Sequence, residues 1–260
     1  NPLLKEIPLA IDYPRPDEPG HFQVDLAWFS GGEASGHYIH AVVIDRYLLW
    51  VEVEPCMGRS REAVLSALEE ALSRMPCRPK TLQTDNGPEF LNDHLRFFCR
   101  EINAEFIRSR PYKKNDNAHV EGSIGNIIRK ELGYLRYETH EALEIMREIC
   151  RGQLRWTYNF LRTTARYTKE RKNHRTIRRY DQMRTPLARV CEREDIPNDT
   201  KEKLVNTLYS INPNGMNERK EALLVKLFRC ARRTGAFGRN RAPLGSGSSS
   251  SKLTRGVKDM

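Results

Sequence analysis

The stretch HFQVDLAWF, residues 21–29, alternates between two faces and carries one acid within an otherwise apolar run. Phe22, Val24 and Leu26 share one face, which predicts a β-strand with that face in a core. Asp25 lies on the other face, where a charge is costly unless something compensates it. Either a buried arginine pairs with this acid, or the acid belongs to a functional site.

The segments that follow this strand predict an α/β fold with a mixed sheet flanked by helices. The β-rich runs HYIHAVVID (37–45) and LLWVEVEP (48–55) are separated by two residues, which predicts a hairpin. Two more strands, TLQTD (81–85) and AEFIR (104–108), alternate with segments whose apolar residues recur at helical spacing. Helices are expected at 60–75, between the last two strands, at 118–132 and at roughly 140–161.

Composition and charge indicate the class of protein and the kind of partner. With 38% hydrophobic and 30% charged residues, the 260-residue chain fits a water-soluble globular protein, and no stretch approaches the roughly 20 apolar residues that span a bilayer. The six cysteines are scattered without a Cys-x-x-Cys pair, which argues against a zinc site or disulfide framework and suits a reducing cytosol.

The charge is divided unevenly along the chain. Residues 1–150 hold 18 Lys and Arg against 24 Asp and Glu, whereas residues 151–260 hold 26 against 10. Such asymmetry is typical of a protein with a polyanionic partner, and nucleic acid is favoured over a membrane surface because the basic part lacks an obvious amphipathic anchor. The alternative is a soluble protein with a cationic tail.

Two further acids occupy positions that fit a site. Asp85 ends the fourth strand before the turn Asn86-Gly87, at the strand edge where ligand sites of α/β sheets lie. Glu121 falls in the first turns of the helix that follows RPYKKNDNAHVE (110–121). Singly, Asp85 also fits an Asx turn and Glu121 a helix-dipole interaction. Jointly, the predicted layout brings both acids and Asp25 to one edge of the sheet.

Three carboxylates at one edge favour a metal site. They repel one another by about 4 kcal/mol per pair at about 4 Å with an effective dielectric near 20, and a divalent cation reverses that cost. Carboxylate oxygens without His or Cys partners favour Mg²⁺ or Mn²⁺ over zinc. Two such ions roughly 3.5–4 Å apart are the usual arrangement for in-line displacement at a phosphodiester.

The spaced acids and their local motifs resemble the DDE catalytic core of retroviral-type integrases and bacterial insertion-sequence transposases, the latter more closely. Between Asp25 and Asp85 lie 59 residues and between Asp85 and Glu121 lie 35, with TDNGPEF around the second acid and RPYKKNDNAHVE before the third. The segment RRYDQMRTPLARV (178–190) is similar to the region after the core in those transposases. The resemblance covers roughly residues 20–165. It implies an RNase H-like mixed five-stranded sheet, with the three acids as catalytic ligands of two Mg²⁺ or Mn²⁺ ions, and DNA strand cleavage followed by strand transfer in transposition.

The resemblance also implies DNA contacts, and a basic segment adds others. Asn86 and Gly87 match the turn beside the second acid, and Asn117 matches the asparagine one helical turn before the glutamate. Asp116 is expected to be a local turn or helix-start residue. The run RYTKERKNHRTIRR (166–179) has few acids, so DNA backbone contact is favoured over a solvated linker. The predicted DNA-binding residues are Asn86, Gly87, Lys113, Lys114, Asn117, His119, Arg171, Lys172, Arg175, Arg178 and Arg179.

Five segments are expected along the chain. They are an N-terminal linker at 1–19, the catalytic core at 20–165, a basic linker at 166–185, a small basic helical module at 186–233 and a disordered Gly/Ser/Arg-rich tail at 234–260. Asn217 is expected to cap the last helix of the module. The chain begins Asn1-Pro2 rather than with Met, as expected of a fragment whose upstream part is missing.

The expected partners follow from the resemblance. They are transposon-end and target DNA and further copies of the chain on paired ends, with no membrane, no small-molecule substrate and a location in the bacterial cytoplasm. Two alternatives stay open: an RNase H-like nuclease without strand transfer, and a catalytically inactive DNA-binding regulator of transposition.

Overall fold

The computed structural model of the chain describes residues 2–10, 16–30, 42–58, 60–111, 120, 122, 124–172 and 175–231. Its central sheet consists of β1 His21–Asp25, β2 Val42–Asp45, β3 Val51–Val53, β4 Thr81–Thr84 and β5 Glu105–Arg108. The strand order is β3-β2-β1-β4-β5. The β1–β2 and β2–β3 pairs are antiparallel, and the β1–β4 and β4–β5 pairs are parallel. The predicted mixed five-stranded, RNase H-like sheet is confirmed.

Helices flank this sheet and continue beyond it. The short α1 spans Leu3–Glu6, α2 Arg61–Ser73, α3 Asp93–Glu101, α4 Lys130–Leu132 and α5 His140–Ile149. A π-helical turn at Ile124–Arg129 precedes α4, and two more at Cys150–Leu154 and Thr157–Leu161 follow α5. Ser60, Asn92 and Thr139 cap α2, α3 and α5, each accepting a hydrogen bond from a backbone N–H three residues on.

Each face of the sheet has its own hydrophobic core. Phe22 and Val24 of β1 pack with Leu68 of α2 and Leu95 of α3 on one face. Beyond the end of β1, Phe29 belongs to the cluster on the other face, together with the apolar residues Val120, Ile128, Leu132, Met146 and Ile149. Gln23 and Asp25, two residues apart in β1, alternate with the first set and therefore face the second layer.

The β2–β3 hairpin forms as predicted, but its connection is longer than two residues. β2 ends at Asp45 and β3 begins at Val51. Asp45 Oδ1 accepts hydrogen bonds from the N–H groups of Tyr47 (2.8 Å) and Leu48 (2.6 Å), and its Oδ2 accepts one from Gly20 (2.7 Å). The buried carboxylate thus satisfies loop N–H groups that a tighter hairpin would pair across the strands.

A second, two-stranded sheet occupies most of the segment that the sequence predicts as a basic linker at 166–185. Strands β6 Tyr167–Lys172 and β7 Arg175–Tyr180 pair antiparallel, with Tyr167 opposite Tyr180. A bridge between Thr164 and Arg184 continues the pairing below them. Closely spaced charges conceal the two-residue period of these strands, which is why the sequence predicts no hairpin here. The five segment boundaries themselves stay predictions.

Three helices follow the hairpin: α6 Pro186–Cys191, α7 Asn198–Ser210 and α8 Pro213–Arg229. Leu187 and Val190 of α6 belong to the first core cluster, and Leu223 and Leu227 of α8 belong to the second. The helices therefore share both cores of the sheet.

The expected cap of the last helix at Asn217 is wrong. The helix α8 begins at Pro213, and Asn212 Oδ1 accepts the hydrogen bond from the Gly215 N–H. Proline is favoured at the first helical position because a backbone N–H there would have no acceptor within the helix, so its absence costs nothing. Within the described part of the chain, no helix has the length and apolar character needed to cross a membrane.

Candidate active site

The first two predicted acids lie side by side at one end of the sheet. β1 and β4 are parallel neighbours, and their register pairs Gln23 with Gln83. Asp25, the last residue of β1, and Asp85, directly after β4, each lie two residues beyond that pair. They therefore occupy equivalent positions on strands about 4.8 Å apart and face the same layer. Both are half-buried.

Backbone N–H groups orient both carboxylates. The Leu26 N–H donates to Asp25 Oδ1 at 2.7 Å, and the Gly87 N–H donates to Asp85 Oδ1 at 2.9 Å. The second bond closes an Asx turn, so the local role that the sequence allowed for Asp85 is present and is compatible with its place beside Asp25. These short contacts restrict the rotation of each carboxylate before any ligand arrives.

A row of buried amide groups supports the pair. Gln23 and Gln83 are almost fully buried, and Gln23 Nε2 donates to Gln83 Oε1 at 3.4 Å. Gln83 Nε2 donates in turn to Ser109 Oγ at 3.0 Å. At the other end of the row, Gln23 Oε1 accepts a hydrogen bond from the backbone N–H of Val120 at 3.3 Å. One polar row thus joins β5, β4, β1 and the chain at Val120.

Sequence reasoning missed these two glutamines, although a signal was present. Gln23-Val24-Asp25 and Gln83-Thr84-Asp85 repeat the pattern Gln-x-Asp on two strands. Because side chains two residues apart share a face, each glutamine lies below its acid on the same side of the sheet. Two such strands pairing in register explain why a buried polar group is tolerated at both positions.

Asn86 has an internal role in the described structure. Its Nδ2 donates to the Ser109 carbonyl at 2.8 Å, and its Oδ1 accepts from Arg108 NH1 at 3.2 Å. Arg108, itself buried, also donates to the carbonyls of Ile7 (3.0 Å) and Leu4 (2.5 Å). Asn86 therefore ties the turn after β4 to β5 and the N-terminal segment, and its predicted DNA contact stays a prediction.

Gly87 lies where the turn passes close to its own chain. A Cβ at this position would come within 2.7–2.8 Å of the Glu89 carboxyl group. The Gly87 carbonyl accepts hydrogen bonds from Phe90 and Leu91 at 3.0 and 2.9 Å. The carbonyl therefore helps to start the segment leading to α3, and the predicted DNA contact of this glycine is likewise untested.

The third acid and several predicted DNA contacts lie outside the described residues. These are Glu121, Asp116, Lys113, Lys114, Asn117 and His119. The backbone positions of Arg171, Lys172 and Arg175 are described in β6 and β7, but their side chains are not. Among the described residues alone, no group of three His, Cys, Asp or Glu side chains forms a metal site. Asp25 and Asp85 supply two carboxylates, the oxygen ligands that Mg²⁺ prefers, so the donor chemistry fits that ion.

Arg178 and Arg179 are exposed on β7. Arg178 lies over the Tyr167 ring, with its guanidinium carbon 4.9 Å from the ring centroid. Their position on an exposed hairpin leaves them accessible to a polyanion, as the sequence predicts, but nothing bound to them tests the contact.

A protein-family model and several known proteins are similar to parts of this chain. Residues 15–114 match the family model described as integrase core domain. The uncharacterized protein y4rM of Sinorhizobium fredii is 31% identical over 172 residues, which cover 66% of this chain and 49% of that protein. The Gag-Pro-Pol polyprotein of squirrel monkey retrovirus is 22% identical over 120 residues, 44% of this chain and 6% of the polyprotein.

Among solved structures, the catalytic core domain of HTLV-2 integrase in complex with magnesium is similar. It superposes with a TM-score of 0.42 at 22% identity, covering 56% of this chain and 90% of that domain. The chain spans about half the length of the Sinorhizobium relative and a small fraction of the retroviral polyprotein.

Proposed function

We propose that the chain carries an integrase-type catalytic core, supported by the match of residues 15–114 to the integrase core domain, and that it is a DDE-type transposase that cleaves and joins DNA strands. In this proposal Asp25, Asp85 and Glu121 hold two Mg²⁺ or Mn²⁺ ions. The observation that carries it is the register of β1 and β4, which brings two acids with 59 residues between them to neighbouring positions. Two half-buried carboxylates on adjacent strands repel each other, and a bound cation removes that cost.

The contact at Val120 supports Glu121 as the third ligand. Val120 is fully buried in the second core cluster, and its N–H donates to Gln23, two residues before Asp25. Glu121 is the next residue in the chain. The chain is therefore anchored to Gln23 one residue before the glutamate, which supports Glu121 as a ligand near the two aspartates.

The protein's own part in the reaction is to hold and orient carboxylates. Bound divalent ions supply activation of the attacking water or hydroxyl and neutralisation of charge on the leaving oxygen. The Leu26 and Gly87 N–H groups keep one oxygen of each aspartate in place. Asn86 and Arg108 hold the turn carrying Asp85 against β5, so the two acids keep their spacing.

DNA as the substrate is supported by the uneven charge. Residues 151–260 contain 26 Lys and Arg but only 10 Asp and Glu, and this excess of positive charge suits contact with phosphates. We propose transposon ends and target DNA as the two substrates, with several copies of the chain acting on paired ends in the bacterial cytoplasm. The sheet end bearing the acids is where the scissile phosphate binds.

The test is a strand-transfer assay with the full chain, Mg²⁺ and short duplexes of candidate transposon ends. Asp85→Asn and Glu121→Gln should abolish products while DNA binding persists, because each removes a ligand charge with little change in shape. Glu69→Gln is the matched control, since Glu69 is an exposed acid on α2, which packs on the opposite face of the sheet. It should retain full activity.

The products also separate the alternatives. Joined strands support transposition, whereas hydrolysis without joining indicates an RNase H-like nuclease. Metal-independent DNA binding without any product indicates a regulator. Full activity of Glu121→Gln would remove that residue from the site.

A further inference from the structure

A cleft lies at the base of the β6–β7 hairpin, apart from Asp25 and Asp85. It has a volume of about 460 Å³. Three tyrosines and two arginines dominate its lining (Tyr47, Tyr167, Tyr180, Arg166 and Arg179), together with two acids, Asp17 and Asp181. Ring faces can stack with a planar group, and guanidinium groups can pair with an anion.

Two guanidinium groups lie over the Tyr47 ring, and the other two tyrosine rings meet at an angle of 52°. The Arg166 guanidinium lies 4.2 Å from the centroid of Tyr47, and Arg193 lies 5.1 Å from the same ring. The rings of Tyr167 and Tyr180 pair across the hairpin with centroids 5.8 Å apart. Tyr180 nevertheless keeps 62% of its surface exposed. It therefore offers a ring face to a ligand at the mouth of the cleft.

Hydrogen bonds to one acid link the residues at the base of the cleft. Asp181 accepts hydrogen bonds from the Arg166 N–H (2.6 Å), from Arg166 Nε (3.0 Å) and from Arg189 NH1 (2.7 Å). Burial alone would raise the pKa of Asp181, but the bonds from Arg189 and Arg166 lower it to about 2. Asp181 is therefore ionised at neutral pH, and its ion pairs with Arg166 and Arg189 offset its repulsion of an anion.

The cleft lies at the opposite end of the sheet from the Asp pair. The β2–β3 connection carrying Tyr47 touches the start of β1, since the Arg46 N–H donates to the His21 carbonyl at 3.0 Å. Asp25 is at the other end of that strand. Four residue steps separate the two ends, a span of ~13 Å. A ligand in the cleft is therefore not at the scissile phosphate.

We propose that this cleft binds unpaired nucleotides of DNA, with a base stacked on Tyr180 and the backbone phosphate paired with Arg178 or Arg179. The inference rests on the proposed function, which supplies DNA as the partner. In a duplex the base faces are covered by stacking, so a cleft of ring faces selects a strand whose bases are free. Residues 166–180 hold seven Lys and Arg against one Glu, which favours a polyanion such as nucleic acid over a neutral or basic partner.

The experiment measures binding to the full chain in EDTA, so that no chemistry takes place. The probes are a short single-stranded oligodeoxynucleotide containing 2-aminopurine and a blunt duplex of the same sequence. Stacking should quench the 2-aminopurine fluorescence. Tyr180→Ala should weaken single-strand binding about tenfold, because one stacked base contributes on the order of tenfold in affinity or more. Tyr180→Phe should bind like the unsubstituted chain, since the ring is kept.

Tyr209→Ala is the control, because Tyr209 is 84% exposed on α7 and lies outside the cleft. The proposal is overturned if Tyr180→Ala leaves single-strand binding unchanged, or weakens duplex and single-strand binding equally. If the unsubstituted chain quenches 2-aminopurine normally but shows no strand transfer, only the transposase proposal fails. If the unsubstituted chain performs strand transfer but does not quench 2-aminopurine, only the proposal for the cleft fails.

Discussion

Replacing Glu54 with glutamine should destabilise the fold strongly, because this carboxylate is buried among arginines. Only 1% of its side chain is exposed. Its Oε2 accepts from Arg74 (2.9 Å) and Arg151 (2.8 Å), and its Oε1 accepts from Arg151 (2.7 Å). The Arg147 guanidinium lies at 3.3 Å from the same oxygen. The cluster links the segment after β3 to the end of α2 and to the helix after α5.

The expected loss can be worked from these contacts. Breaking a buried ion pair from one side costs about 3–5 kcal/mol, since the partner charge stays buried without compensation. Arg74 keeps its ion pair with Glu52 at 3.1 Å, and Arg151 is 41% exposed and can recover hydration. The lower end of the range therefore applies, and Glu54→Gln should lower the free energy of unfolding by about 3 kcal/mol.

Glu70 supplies a matched control because it faces the same two arginines from the surface. Its carboxylate lies 3.8 Å from Arg74 and 3.5 Å from Arg151, with 56% of the side chain exposed. Exposed pairs contribute about 0–1 kcal/mol, so Glu70→Gln should be nearly neutral. Urea unfolding measures the free energy of unfolding of both variants, and an unchanged m-value shows that the two can be compared. Equal losses for the two variants, or a loss below about 1 kcal/mol for Glu54→Gln, would refute the reasoning from burial.

Three further predictions concern other parts of the fold. Burial raises the pKa of Asp45 to about 6 from 3.8, so its contribution to stability is complete below pH 3.8 and is lost as pH rises through about 6. Asp45→Asn should remove this loss, which amounts to about 3 kcal/mol of unfolding free energy between pH 3.8 and about 6. Urea unfolding at a series of pH values measures it, and a loss as large as in the unsubstituted chain would contradict the prediction. Gly125→Ala should raise stability by about 0.5–1 kcal/mol in thermal unfolding, because its Cβ would meet nothing within 4 Å. Gly20→Ala is its counterpart and should destabilise, because φ is +103° and the Cβ would lie 2.9 Å from the Arg78 carbonyl. Gln23→Leu removes the acceptor of the Val120 N–H and should slow strand transfer while DNA affinity stays constant; a normal rate would show that the buried amide row does not position the site.

Local patterns predicted the elements well where one periodicity dominated. The alternation around Phe22 and the helical spacing from Val64 to Leu68 gave a strand and a helix within a few residues of their observed bounds. The basic hairpin was missed because charged residues follow one another directly, as in Lys169–Lys172 and Arg178-Arg179, so no alternating apolar face marks its strands. The β2–β3 connection was set too short because its length depends on the Asp45 carboxylate and its three N–H donors.

By itself the sequence determined which residue types are present and how far apart they lie. It identified Asp25, Asp85 and Glu121 as candidates by spacing and local motif, and its charge division indicated a polyanionic partner. Only the tertiary structure decided that β1 and β4 pair with Gln23 opposite Gln83, which places the two aspartates side by side. It also decided that Glu54 is buried while Glu70 is exposed, although both face the same arginines. The physical reason is that strand register and burial depend on contacts between residues far apart in the chain, and local periodicity carries no record of them.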